Sequence, residues 1–351
     1  MVDKIKIGFI GVGGMGQNAH LKNYCTVPEC EVVAIAEIRP ELRKLVAAKY
    51  HIPRTYASHT ELLVAEKVDA LVSAQPFTRH GTIIPELLQA GVPVMTEKPL
   101  AGSIAMGEKV VAAAKASGTW QMLGYHKRSD PATMYAKAEI ERLQASGELG
   151  KLKYVRVLMP AGDWVANGFV DLVQSKESYP ELAGDPAPDD MSPELYQEYI
   201  GFVNYYIHQV NLLRHLLGEP YRVTYADPSG VLLVATTPSG AAGVIEMSPY
   251  TSTLDWHESA FVAFEHGYIK IELPAPMAIN RPGRVEVFSD PSNGKIPQTL
   301  VPTLPWVHAM RQQAINFVRA VKGEIKPMTD SVEALQDLQV ARDYIRLLRG
   351  A

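Results

Sequence analysis

The sequence predicts an α/β protein with two unlike sheets, a doubly wound parallel sheet followed by an α/β domain on an open, mainly antiparallel one. Three observations lead there. From Ile5 to Leu123, short apolar runs alternate with helical stretches every 20 to 30 residues or so. The first of these runs breaks abruptly into Gly11-Val12-Gly13-Gly14-Met15-Gly16. Beyond Val223 the pattern changes to hairpin-sized strands separated by turn signals, notably Pro228-Ser229-Gly230, Pro238-Ser239-Gly240 and His266-Gly267.

A chain of 351 residues, 47% hydrophobic and 21% charged, has room for two domains and a substantial core. Its net charge of −4, with no basic run to follow a phosphate backbone, argues against a nucleic-acid partner. Cys25 and Cys30 are the only cysteines, so a disulfide framework is excluded and a reducing compartment is expected. No apolar segment approaches the roughly 20 residues that span a bilayer. Lys4 and Lys6 precede an apolar run that glycines interrupt at once, which reads as a buried first strand rather than a leader. A cytoplasmic protein with no membrane association is the expectation.

In order, Ile5–Ile10 is a strand, and a helix runs on from Gly16 to about Tyr24. A second buried strand, 31–36, closes at Glu37. Pro40 opens a helix to Tyr50, proline being tolerated in a first turn. A short helix (60–65) leads to the strand 70–74, which ends in Gln75-Pro76-Phe77-Thr78-Arg79-His80. Helix 83–90 follows, then strand 94–96 ending in Glu97-Lys98-Pro99. Ser103 caps helix 104–116, and strand 120–123 ends at Gly124-Tyr125-His126-Lys127-Arg128.

Ligands of doubly wound sheets sit outside the carboxyl ends of the strands, where all these polar clusters fall. Gly11, Gly13 and Gly16 let the chain turn from strand to helix and bring the backbone N–H groups of Gly13, Gly14 and Met15 against a diphosphate. Glu37 lies 21 residues beyond Gly16, where such folds place the acid that accepts from the adenosine ribose. An acid there repels a 2′-phosphate and favours NAD over NADP. Arg39 pulls the other way, since its guanidinium would either bind that phosphate or stack on adenine. Gln75, Pro76 and His80 either contact the cofactor or support the loop. The first domain is expected to bind a dinucleotide.

Glu97-Lys98-Pro99 at a strand end downstream of this glycine loop resembles the Gfo/Idh/MocA oxidoreductases, the family of glucose–fructose oxidoreductase and inositol 2-dehydrogenase. Further matches are Pro76 with His80, Ala90-Gly91 leading into Val94–Leu100, Tyr125-His126-Lys127-Arg128 with Pro131, His208 ahead of Leu216-Leu217-Gly218, and the Phe317–Gly323 and Thr329-Asp330 runs. The resemblance covers nearly the whole chain. It implies a Rossmann domain at 1–124 and a substrate-binding and oligomerisation domain at 125–351. It also implies hydride exchange between NAD(P) and a carbinol of a sugar, polyol or glycoside, with Lys98 and His208 catalytic. Separately, no His, Cys and Asp set has metal-site spacing, so no metal is expected. The family often carries acids four residues before and three after the catalytic histidine; here those positions are Asn204 and Asn211, and Tyr206 replaces a glycine.

In the second half, 131–146 is a helix and 153–159 a strand. The stretch from Pro160 to about Gln197 is too long for an ordinary connection and reads as a substrate lid or a subunit contact. Asp163 and Trp164, nearest the strand end, suit a sugar. One helix is expected over 199–217, then strands at 223–226, 231–236, 243–249, 261–265, 268–273 and 285–288. Helices 308–322 and 331–348 close the chain, the latter capped by Asp330 or Ser331. Trp256 and His257 read as structural. A dimer or tetramer would cover the open sheet face.

Oxidising a carbinol requires a base and a group that polarises the oxygen. His208 is of the right type, since an unperturbed imidazole titrates near ~6.5 and can take a proton at neutral pH. Lys98 beside the nicotinamide can hydrogen-bond the reacting oxygen, or act as the base itself if its pKa falls; both assignments stand open. His126, Lys127 and Arg128 are candidate substrate contacts, with a salt bridge as the alternative for one of the two cations. Two rival functions keep the fold: redox-neutral glycoside cleavage through a transient keto-sugar, and a non-catalytic NAD(H) sensor.

Overall fold

A computed structural model describes residues 4–291 and 294–350. The chain divides into two compact units. The first comprises the residues through Tyr125 together with Gly168–Ile200 and Gln313–Leu338; the second comprises His126–Asn167, Gly201–Gln312 and the stretch from Gln339 onward. Two stretches from the second half of the chain therefore belong to the first unit.

That unit holds a six-stranded sheet, β1 (Ile5–Ile10), β2 (Cys30–Ala36), β3 (Arg54–Tyr56), β4 (Ala70–Ser73), β5 (Val94–Thr96) and β6 (Gln121–Leu123). All its pairings are parallel and its order is β3-β2-β1-β4-β5-β6. The direction of winding reverses between β1 and β4, which opens a crevice at their carboxyl ends. β3 is too short and exposed to stand out as an apolar run. Between strands run a π-helical turn Gly16–Leu21 that continues into α1 (Lys22–Tyr24), α2 (Pro40–Tyr50), α3 (His59–Ala65), α4 (His80–Leu88) and α5 (Ile104–Ser117). Ser58 and Ser103 cap α3 and α5 by accepting from Glu61 N and Met106 N. The core joins Phe9, Tyr24, Val72, Met95 and Met122 to Ala314, Phe317 and Val318. Phe317 meets Tyr24 and Trp120 edge-on, with centroids 6.2 and 5.8 Å apart.

The second unit carries α6 (Pro131–Ser146) and β7 (Leu152–Ala161), and part of α7 (Pro193–Tyr205), which crosses between units. α8 (Ile207–Leu217) follows, then β8 (Arg222–Ala226), β9 (Leu232–Thr236), β10 (Ala242–Thr251), β11 (Ser259–Phe264), β12 (Gly267–Glu272), β13 (Arg284–Ser289) and β14 (Gln298–Leu300). The eight strands order as β14-β13-β12-β11-β7-β10-β9-β8, antiparallel except for β7 with β10. α6 and α8 pack on one face. There Val155, Val157, Ile245, Val262, Ile269 and Val287 are buried, while Phe261, Tyr268 and Phe288 stack on the other face. α9 (Ala309–Val321) and α10 (Ser331–Arg349) end the chain, and Asp330 caps α10 by accepting from Glu333 N at 2.8 Å.

The single helix expected over 199–217 is two helices. They meet at Tyr206 (φ −99°, ψ −2°), whose hydroxyl is 2.7 Å from Ser248 Oγ. The break puts His208 in the first turn of α8 rather than deep in a long helix.

Candidate active site

At the end of β1, Gly11 has φ +84°. A Cβ on Gly11 would strike the Ala74 carbonyl, and one on Gly16 would strike the Gly11 carbonyl, so both positions require glycine. Above the loop there is room: a Cβ on Gly13 would meet only Arg39 Nη2, at 3.7 Å, and one on Gly14 only Phe169, at 3.8 Å. A turn closed on the inside and open on the outside fits a diphosphate lying against its N–H groups, with Met15 opening the helical turn behind it. The dinucleotide this loop implies therefore suits the residues present.

Glu37 directly follows β2, with its side chain 3% exposed. Its carboxylate accepts from Val12 N at 3.1 Å and from Arg39 Nε and Nη2 at 2.8 and 3.2 Å. Arg39 thus lies beside the glycine loop, paired with the expected ribose acid.

His80 is fully buried. Its Nδ1 lies 3.1 and 3.2 Å from the carbonyls of Pro99 and Leu100, and its Nε2 lies 3.3 Å from that of Gln75. Burial lowers its pKa, against the pull of those carbonyls. It ties the loop after β4, Gln75 and Pro76 included, to the loop after β5.

Lys98 leaves β5 through a cis bond to Pro99 and is half-buried. Glu97 before it faces inward, with His20 Nε2 2.5 Å from Oε1 and Lys98 N donating to Oε2 at 3.2 Å. Burial works to raise the Glu97 carboxyl, but the His20 bond and the charges of His20 and Lys98 hold it below the usual range. His20 projects from the π-helical turn. Its pairing joins the helix behind the glycine loop to the lysine-bearing strand end.

In the second unit, 126–130 are all buried. The His126 ring meets His208 edge-on, centroids 4.7 Å apart, and His208 is half-buried. Arg128 Nε donates to Asn211 Oδ1 at 2.7 Å. Lys127 Nζ is ion-paired with Glu258, whose other oxygen accepts from Gln209 Nε2 at 2.7 Å, while Trp256 Nε1 donates to the first at 3.1 Å. With 5% and 0% of the two side chains exposed, the Lys127 ammonium is committed to that pair. A recess beside it is lined by His126, Lys127, Asp130, Pro274, Arg281 and Ala309. Asp163 accepts from Val165 N and Ala166 N in its own turn; Trp164 and Asn204 are exposed. Among the described residues, no group of three or more His, Cys, Asp or Glu side chains could hold a metal ion, and no helix is long and apolar enough to cross a membrane.

Residues 5–125 match the model of the Gfo/Idh/MocA family, described as an oxidoreductase family with an NAD-binding Rossmann fold. Over this stretch the chain is similar to the Gfo/Idh/MocA oxidoreductases. Inositol 2-dehydrogenase of Acidothermus cellulolyticus is 33% identical over 148 residues, but that alignment covers only 42% of each chain. The scyllo-inositol 2-dehydrogenase (NAD(+)) of Bacillus subtilis is 25% identical over 71% of this chain and 68% of its own. A putative NADPH-dependent oxidoreductase of Desulfitobacterium hafniense has the same fold, with a TM-score of 0.76 at 14% identity over 100% of this chain and 97% of that one.

His20, Gln209 and Glu258 join these clusters without standing out in the sequence. Glu258 had a signal: it precedes β11 in phase with the buried Ala260, Val262 and Phe264, so alternation alone turns it inward. His20 and Gln209 lie among apolar helix positions, where a polar residue reads equally well as surface.

Proposed function

We propose that the chain is an NAD-dependent dehydrogenase that oxidises a carbinol of a sugar, polyol or glycoside. The observation that carries this is Lys98 at the carboxyl edge of the crevice, with its backbone held by Glu97 and Glu97 held by His20. Bound NAD supplies the hydride acceptor. Lys98 donates a hydrogen bond to the reacting oxygen and favours its alkoxide form. His208 takes the hydroxyl proton, with its ring steadied by the edge of His126. Gly11, Gly13, Gly14, Met15 and Gly16 seat the diphosphate and Glu37 the ribose, while Gln75, Pro76 and His80 support the loop. Asn204, Asn211, Arg128, Asp163 and Trp164 are assigned to substrate, and Lys127 serves by fixing Glu258. The division between cofactor-binding and substrate-binding domains belongs to the same proposal. So does self-association, as a dimer or tetramer, through the aromatic face of the second sheet. A cytoplasmic location suits the two free thiols, Cys25 and Cys30.

The test is a panel of sugars, polyols and glycosides with NAD, read at the reduced-nicotinamide absorbance. Turnover should appear with a subset of the panel and vanish in both Lys98→Ala and His208→Ala, while NADH binding survives. Near-normal turnover in both variants would reject the assignment.

A further inference from the structure

We propose that residues 168–185 form a clasp across the dinucleotide crevice of the first unit, and that Glu177 on this clasp sets the preference for NAD over NADP. The proposal rests on dinucleotide binding by this unit, and goes beyond it by assigning retention and selectivity to a segment remote in sequence.

The segment meets the chain after each strand that flanks the crevice. After β1, Phe169 lies over Gly14, and Lys22 Nζ donates to Gly168 O at 3.4 Å. Gln17 pairs with the clasp as a strand would, donating to Val173 O at 3.0 Å and accepting from Val173 N at 3.1 Å. The same amide donates to Val12 O at 2.8 Å, in the glycine loop itself. After β2, the Glu177 carboxylate caps α2, accepting from Glu41 N at 3.1 Å and Leu42 N at 2.9 Å. Tyr179 lies over the Arg39 guanidinium, 5.2 Å from ring centroid to Cζ. After β4, Asp185 caps α4, accepting from Gly81 N at 2.7 Å and Thr82 Oγ1 at 2.8 Å. No surface excursion without a role would cap two helices and pair with the glycine-loop helix within so few residues.

Selectivity follows from what Glu177 occupies. A 2′-phosphate on the adenosine ribose needs cations and free N–H groups in the turn after β2. Here the N–H groups of that turn face a carboxylate. The nearest guanidinium, Arg39, is shared between Glu37 and the Tyr179 ring. Arg43 Nη1 is bonded to the Glu37 carbonyl at 2.7 Å. A phosphate would meet two carboxylates whose cations are already engaged, whereas the neutral 2′-hydroxyl of NAD meets acceptors. Retention follows as well, because a dinucleotide lying under the segment leaves only when these bonds open.

The experiment is fluorescence titration of the full chain with NADH and NADPH, followed by stopped-flow displacement of bound NADH. Wild type should prefer NADH. Glu177→Gln, which keeps an acceptor for the helix but removes the charge, should narrow that preference about tenfold. Asp185→Ala, which frees one end of the clasp, should speed NADH release at least threefold or so without changing the preference. NADH binding with the preference unmoved by Glu177→Gln, or release unmoved by Asp185→Ala, overturns the clasp alone. Failure of wild type to bind either nucleotide overturns the dinucleotide reading and the clasp with it.

Discussion

In the first unit, the strand-end site is made largely of peptide groups. Glycine positions create it and helix amino ends complete it. In the second unit, the cluster around His208 is made of side chains, with Lys127, Glu258, Gln209, Arg128 and Asn211 buried together. The two constructions fail differently. A peptide cradle tolerates changes in composition but not an added methyl group, and its loss costs binding more than folding. A buried charge network is tied into the core, so removing one member leaves another uncompensated.

Four substitutions sharpen that contrast, starting with the largest effect. Glu258→Gln leaves the Lys127 ammonium buried without its carboxylate and should cost about 3–5 kcal/mol of stability, read by urea unfolding. A loss below about 1 kcal/mol would place the pair with solvent-exposed ones. Gly16→Ala should lower NADH affinity about a hundredfold, ~3 kcal/mol, and lower the melting temperature as well, since its Cβ meets the Gly11 carbonyl. A large melting shift with affinity retained would reverse the comparison.

Asp130 brings in pH. It caps α6, accepting from Ala132 N at 2.8 Å, and also accepts from Gly283 N, while burial pushes its carboxyl up from 3.8 to about 6. Because the folded pKa is the higher one, its favourable contribution is complete below pH 3.8 and is lost as the pH rises through 6. Asp130→Asn removes that titration. Wild type should therefore lose up to ~3 kcal/mol relative to the variant between pH 4 and 7, measured by chemical denaturation. An unchanged difference would mean that the carboxyl is ionised throughout.

The smallest effect is in the clasp. Asp185→Ala should cost about 1 kcal/mol, as lost helix caps do, with faster amide exchange confined to the clasp and the first turn of α4.

What the sequence showed divides along the same line. The parallel sheet, the glycine loop and the lysine strand end could be read because each is encoded locally, by apolar runs, glycines and punctuation. Glu177 and Asp185 could not, because a carboxylate in a Pro- and Gly-rich stretch looks the same whether it faces water or caps a helix over 100 residues away. Tyr206 hid the break between α7 and α8, since nothing in an aromatic run announces that one hydroxyl will bond to Ser248. Glu258 stood in phase with a buried strand face, and the alternation rule would have found it.

The packing of Phe317 against Tyr24 and Trp120 also bears on biosynthesis. The strands β1 to β6 precede α9 in the chain, so the apolar surface that Ala314, Phe317 and Val318 cover stays open until α9 arrives. The strands of that sheet are thus synthesised well before the helix that covers this face, and in the interval the nascent chain presents a hydrophobic surface that a chaperone could hold.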